Sequence, residues 1–187
     1  MKNTVFVMMV FIAVMTNACC VNPAKIDGPY EGKIVDADTG EPIEGVVVLA
    51  EWNKSLVTPA GSTHTFYDAE ETVTNQKGEF RIKGKGILIM SRIDPIKISI
   101  FKAGYEYIGT MPWYALENWQ EVKWEGEKAI IPLKKLTIEE RKEQLGPFSP
   151  PGEAPLEKVI LMLREIDKDR VERGLDARQF WNGKRYE

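Results

Sequence analysis

Between residues 30 and 135 the chain is a succession of short apolar or alternating runs, each closed by Gly, Pro, Asn or Asp, with no helical period among them. This constrains the fold more than any other feature, because runs this short bury their apolar faces as strands packed sheet on sheet. Residues 31–37 (EGKIVDA) alternate in part and lead into the dense turn signal of 38–42 (DTGEP). Residues 44–52 (EGVVVLAEW) are β-branched and continuous enough for a strand buried in a sandwich. Residues 72–74 precede the turn Asn75-Gln76-Lys77-Gly78, and in 79–83 Phe80 and Ile82 alternate with charged neighbours. Residues 87–90, 96–101 and 129–133 supply further candidates. The expectation is a mainly β chain: a β-sandwich of about seven strands with Ile34, Val46, Val48, Phe80, Ile82, Ile98 and Ile100 pointing inward.

Three of these runs also resemble a known family. The segments EGKIVDADTGEPIEGVVVLAEW at 31–52, TVTNQKGEFRIKG at 72–84 and ISIFKAGYE at 98–106 are similar to those of carboxypeptidase regulatory-like domains, in the same order. The resemblance rests on Asp36, Thr39, Gly40, Pro42 and Ile43, then Gly45 and Val46 to Val48. Thr74, Gly78 and Phe80 follow, and finally Gly104 and Tyr105. It implies a small Greek-key sandwich similar to transthyretin, spanning residues 30–136. These motif residues are structural: glycines for tight turns, Pro42 to set a strand start, aromatics for core area. The resemblance therefore implies fold and little chemistry.

The two ends differ from this body. Residues 1–18 read as a signal peptide, with Lys2, an apolar run of eleven at 5–15 (VFVMMVFIAVM) and small residues before Cys19. An uncut anchor helix is the alternative, although eleven residues fall short of the roughly 20 that a membrane span needs. The segment also resembles a bacterial lipoprotein signal, which implies that Cys19 becomes the lipidated first residue. Ala18 fits that pattern, while Thr16 and Cys20 depart from it, so cleavage after Ala18 without lipid stays open. On either reading the mature protein is exported, and with lipid it is held at the membrane of the cell envelope. Residues 19–29 then form a tether.

Residues 137–187 read as a helical extension. Thr137 and Glu140 have capping-box spacing for a short helix to about residue 144, and 146–155 (GPFSPPGEAP) is a proline-rich linker. Leu156, Val159, Ile160, Leu163 and Ile166 mark one face of a helix over 156–173 that ends at Gly174. Packing of this helix back on the sandwich is favoured over a membrane-surface role, because its polar face mixes acids with bases; a protein partner is the other reading.

Composition narrows the chemistry. The 25 basic and 28 acidic residues sum to −3, which does not suggest a nucleic-acid surface. One histidine, His64, and the adjacent pair Cys19 and Cys20 leave no His/Cys metal cluster and no internal disulfide framework. No cofactor or metal is expected. The peptidase centre to which such domains are attached needs a His-x-x-Glu pair and a second histidine, whereas His64 is followed by Thr65, Phe66 and Tyr67. The transthyretin-like hydrolases use several histidines and a terminal Tyr-Arg-Gly-Ser, whereas this chain closes Gly183-Lys184-Arg185-Tyr186-Glu187. A Ser-His-Asp set of His64, Asp68 and Ser62 or Ser91 lacks a Gly-x-Ser-x-Gly elbow. His64 reads as a side chain of a long loop over 53–71. Asp36 to Glu41 reads as a β-turn, its glycine one place early for an EF-hand loop.

The remaining constellation is aromatic. Tyr105, Tyr107, Trp113, Tyr114, Trp119 and Trp124 fall within twenty residues, the last four in an insertion at 111–127. Flat rings can stack on sugars, which makes Trp113, Tyr114, Trp119 and Trp124 candidate ligand-binding residues; packing of the insertion onto the sandwich is the competing reading. The expected function is thus a non-enzymatic cell-envelope binding or structural module. Its partners are the membrane through lipid and a protein or carbohydrate ligand, and a hydrolase centred on His64 is the weaker alternative.

Overall fold

The computed structural model describes residues 24–58, 61–89, 91–119, 121–143, 154–178, 180–181 and 184–185. In chain order the first strands are β1 (Ala24–Asp27), β2 (Tyr30–Asp36), β3 (Val47–Thr58), β4 (Gly61–Val73), β5 (Glu79–Ile82) and β6 (Gly86–Ile89). There follow β7 (Lys97–Phe101), β8 (Ile108–Pro112), a 3-10 turn Trp113–Asn118, β9 (Lys123–Glu125) and β10 (Lys128–Leu133). Helix α1 (Ile138–Glu143), a 3-10 turn Leu156–Lys158, helix α2 (Ile160–Glu172) and the short pair β11 (Phe180–Trp181) and β12 (Lys184–Arg185) complete the order.

The fold is mainly β, a sandwich with a C-terminal helical extension. One sheet has the order β5-β2-β10-β9 and the other β4-β3-β7-β8. All pairings in the two sheets are antiparallel except β2 with β10. Alternation places the core: Phe80 and Ile82 are buried while Arg81 between them is exposed. All seven residues expected to point inward are buried in one cluster with Trp52, Ile131 and Leu133.

The turns carry the sequence signals physically. Asn75 Oδ1 accepts the N–H groups of Lys77 and Glu79 at 2.9 and 3.0 Å, which closes the turn before β5. Gly78 has φ +74°, and a Cβ there would lie 2.4 Å from the Ile34 carbonyl oxygen, so a side chain is excluded twice over. Asp36 Oδ1 accepts from the amides of Asp38 and Thr39, both at 3.0 Å, so residues 36–41 form the expected turn.

Strand β3 is apolar on both sides, and its second side has its own cover. Val47, Leu49, Ala69 and Phe101 form a second cluster with Val159, Met162, Leu163 and Ile166 of the C-terminal segment. The helix therefore packs at home. The described members of both clusters lie at Tyr30 or later.

Five expectations are corrected. The stretch 53–71 is no loop: β3 and β4 continue as one long hairpin, paired from Val47↔Val73 to Thr58↔Gly61 with a bulge after Trp52. The stretch 111–127 is not an insertion laid on the sandwich but partly belongs to its two sheets, since β8 pairs with β7 and β9 with β10. The tether 19–29 contains a strand, because β1 pairs with β6 from Ala24↔Ile89 to Asp27↔Gly86. The helix expected from residue 156 begins at Ile160, after the 3-10 turn that follows Pro155. The linker 146–155 ends in the core: Ala154 is buried in the second cluster, although 146–153 lie outside the described residues.

Candidate functional site

The connection after β1, the 3-10 turn and the β9–β10 turn meet around an open groove of about 810 Å3. Ile26, Tyr30, Trp113, Glu117, Trp124 and Glu127 line it. Trp113 is the keystone. Its ring stands edge-on to Tyr30, Trp124 and Phe80, at centroid distances of 5.2, 6.0 and 6.3 Å. The indole N–H of Trp124 is buried and has no hydrogen-bond partner among the described residues. A buried donor without an acceptor costs about 1–3 kcal/mol, which the ring packing around Trp113 offsets.

Beneath the groove Asp27 ties β1 to the core. Its carboxylate accepts from the Tyr30 hydroxyl, the Trp52 indole N–H and the Lys85 amide, each at 2.8 Å. Burial, reinforced by the bond to Asp27, raises the Tyr30 phenol far above its usual value, so it stays protonated. The groove thus offers ring edges, partial ring faces and two exposed carboxylates. It is equipped to hold a ligand with both apolar and hydroxylated surface.

Of the four aromatic candidates, the structure brings Trp113 and Trp124 together in this groove. Trp119 packs against the sandwich core instead, and Tyr114 stands apart in solvent, 56 % exposed. Tyr107, from the same run, lies on the opposite face of its sheet, edge-on to Phe101 at 6.0 Å. Tyr30 was missed by sequence reasoning, since it lies more than eighty residues from the tryptophans it meets. Only the parallel pairing of β2 with β10 brings these segments together.

His64 stands on β4, not in a loop, and its partners are not those the sequence suggested. Nδ1 lies 3.0 Å from Ser55 Oγ and 3.0 Å from Asp94 Oδ2, and Ser55 also donates to the other oxygen of Asp94. Hairpin pairing explains this, because Ser55 is the register partner of His64. Asp68 instead pairs with Lys85 at 2.6 Å and Lys158 at 3.2 Å, and Ser91 accepts from the Ile93 amide. Burial opposes the charge on Asp94, yet the bonds from Ser55 and His64 outweigh it and hold the carboxyl below its ordinary value. A catalytic triad needs the acid on one ring nitrogen and the serine on the other. Here both crowd one nitrogen, and the serine proton points at the carboxylate, so the set does not have the acid–histidine–serine order of a triad.

Two further carboxylates are perturbed. Glu71 of β4 accepts the amides of Leu161 and Met162 at 2.9 and 2.7 Å, capping α2 from across the layer. Burial nevertheless raises it to about 6. Glu51 of β3 is only 6 % exposed and burial raises it to about 7, against the pull of Lys97. It shares the helix-covered face with Leu49, and sequence reasoning missed it although a single Glu in an apolar run was a signal that could have found it.

Among the described residues no group of three or more His, Cys, Asp or Glu is placed to hold a metal ion, and no helix is long and apolar enough to cross a membrane. The signal segment 1–18 and Cys19 lie outside the described residues. No protein-family model, curated protein or solved structure matches this chain.

Proposed function

We propose that the chain is a non-enzymatic binding module of the cell envelope, a carboxypeptidase regulatory-like sandwich anchored through lipid on Cys19. Its ligand is a saccharide held in the groove of Tyr30, Trp113 and Trp124. The carrying observation is that groove's combination of three rings and two exposed carboxylates, which offers apolar surface for a sugar ring and acceptors for its hydroxyls. The two four-stranded sheets support the family reading, and the arrangement around His64 supports a binding role over hydrolysis.

Titration of soluble neutral and cationic oligosaccharides, followed by tryptophan fluorescence and calorimetry, tests the ligand class. Glu117→Ala with Glu127→Ala, both on exposed turns, should weaken binding by about tenfold or more while leaving the fold intact. No saturable binding of any oligosaccharide, or binding indifferent to both substitutions, would overturn the saccharide reading. For the anchor, intact mass should exceed that of residues 19–187 by an acylglycerol group.

A further inference from the structure

The ribbon of β1 and β6 turns an apolar face to water. Ile26, Ile87 and Ile89 are 78 %, 73 % and 71 % exposed, among the most exposed large apolar side chains described. Register places them together: Ile26 pairs with Ile87 and Ala24 with Ile89, and residues directly opposite share one face of a ribbon. That face holds Ala24, Ile26, Ile87 and Ile89 and carries no charge.

The other face is clamped to the body. Leu88 packs against the main core, Asp27 is buried under its three donors, and the Lys25 ammonium donates to the Ile93 carbonyl at 2.5 Å. The isoleucines therefore stand outward on a fixed support and are not exposed by fraying. A two-stranded ribbon with one apolar side is a poor solution in water and needs a cover.

We infer that this face docks on the lipid bilayer, with the three isoleucines in the interfacial region. The inference rests on the lipid-anchor reading of Cys19. Four residues separate Cys19 from Ala24, a span of about 18 Å at full stretch, which is shorter than a small domain is wide. A body tethered so closely presents β1 and its partner β6 to the membrane before any other part. An uncharged, branched apolar face at that point matches the apolar side of interfacial segments, and its burial adds to the hold of the acyl chains. Ile26 also borders the aromatic groove, so ligand binding would take place beside the membrane surface.

Photo-crosslinking tests this without altering the protein. The full chain is reconstituted in phosphatidylcholine–phosphatidylglycerol vesicles carrying a diazirine acyl chain, and adducts are mapped by peptide mass. Adducts at residues 24–27 and 86–89 should exceed those at the exposed Tyr114 and Val171 by about tenfold or more. Equal yields at all these sites, or none on the ribbon, would overturn the docking. The intact mass of the same sample separates the two ideas. An acylglycerol group without ribbon adducts defeats docking alone, and ribbon adducts on an unacylated chain defeat the anchor alone.

Discussion

The sheet β4-β3-β7-β8 has two buried faces that are built differently. Its inner face, with Val48, Ala50, Trp52, Ile98 and Ile100, packs in an almost wholly apolar cluster, whose polar contact is the bond from the Trp52 indole to Asp27 at its edge. Its outer face mixes Val47, Leu49 and Phe101 with Glu51, Glu71 and Ser99, and α2 covers it. The helix is held there by polar devices as well as by packing. Glu71 caps its start, and Arg141 of α1 reaches Asp169 at 2.7 Å and Glu172 at 2.9 Å near its end. Asp169 also lies 2.8 Å from Arg173 Nε. The inner layer therefore rests mainly on shape and apolar area, whereas the outer layer depends on charge state. Two substitutions that remove similar volume should behave differently in the two layers.

The largest expected effect is in the inner layer. Phe80→Ala removes a ring buried between the sheets and should cost about 3–5 kcal/mol in urea melts, equally at pH 5 and pH 8. A loss below about 1 kcal/mol would mean that β5 does not close this core. Next comes Arg141→Ala, which leaves Asp169 buried with one partner fewer. It should cost about 3 kcal/mol, and hydrogen exchange should show α2 opening before the sheets. If both layers open together, they are one cooperative unit and the comparison fails.

Glu51→Gln sharpens the comparison with the opposite sign. A carboxyl at about 7 in the folded chain and 4.5 unfolded binds its proton more tightly when folded. The stability that Glu51 contributes is therefore highest below pH 4.5 and falls as pH rises to about 7, and Glu71 adds the same trend up to about 6. Removing the charge should raise stability at pH 8 by about 3 kcal/mol at most and leave pH 4 nearly unchanged. Melts that shift equally at both pH values would show that Glu51 is solvated. The smallest effect is expected at His64, 60 % exposed at its side chain on the far end of the hairpin. His64→Ala should change stability by less than about 0.5 kcal/mol, measured by the same melts, and leave saccharide binding unaltered.

Sequence legibility followed the same division between layers. Strands with one wet and one dry face were plain, as in Glu79-Phe80-Arg81-Ile82, because burial on one side imposes a period of two. The outer half of the β3–β4 hairpin was read as loop because both its sides meet water. Asn53-Lys54-Ser55 and Ser62-Thr63-His64-Thr65 show no apolar alternation, and only β-favouring Thr63, Thr65, Phe66 and Tyr67 hinted at strand. At the candidate site the tryptophans could be seen in the chain, but which of them meet could not. Trp113 and Trp124 converge with Tyr30, and Trp119 does not share the groove.

By itself the sequence determined the turn positions, the inward-facing apolar residues of the sandwich and the capping box in which Thr137 and Glu140 bond each other. These follow from local dihedral preference and local period, which act over a few residues. Only the tertiary structure decided that Glu71 caps a helix ninety residues away, that Ser55 and Asp94 meet at one nitrogen of His64, and that three isoleucines share one outward face. Those depend on strand register, and register is set by the summed packing of whole sheets, to which no short stretch of sequence gives access.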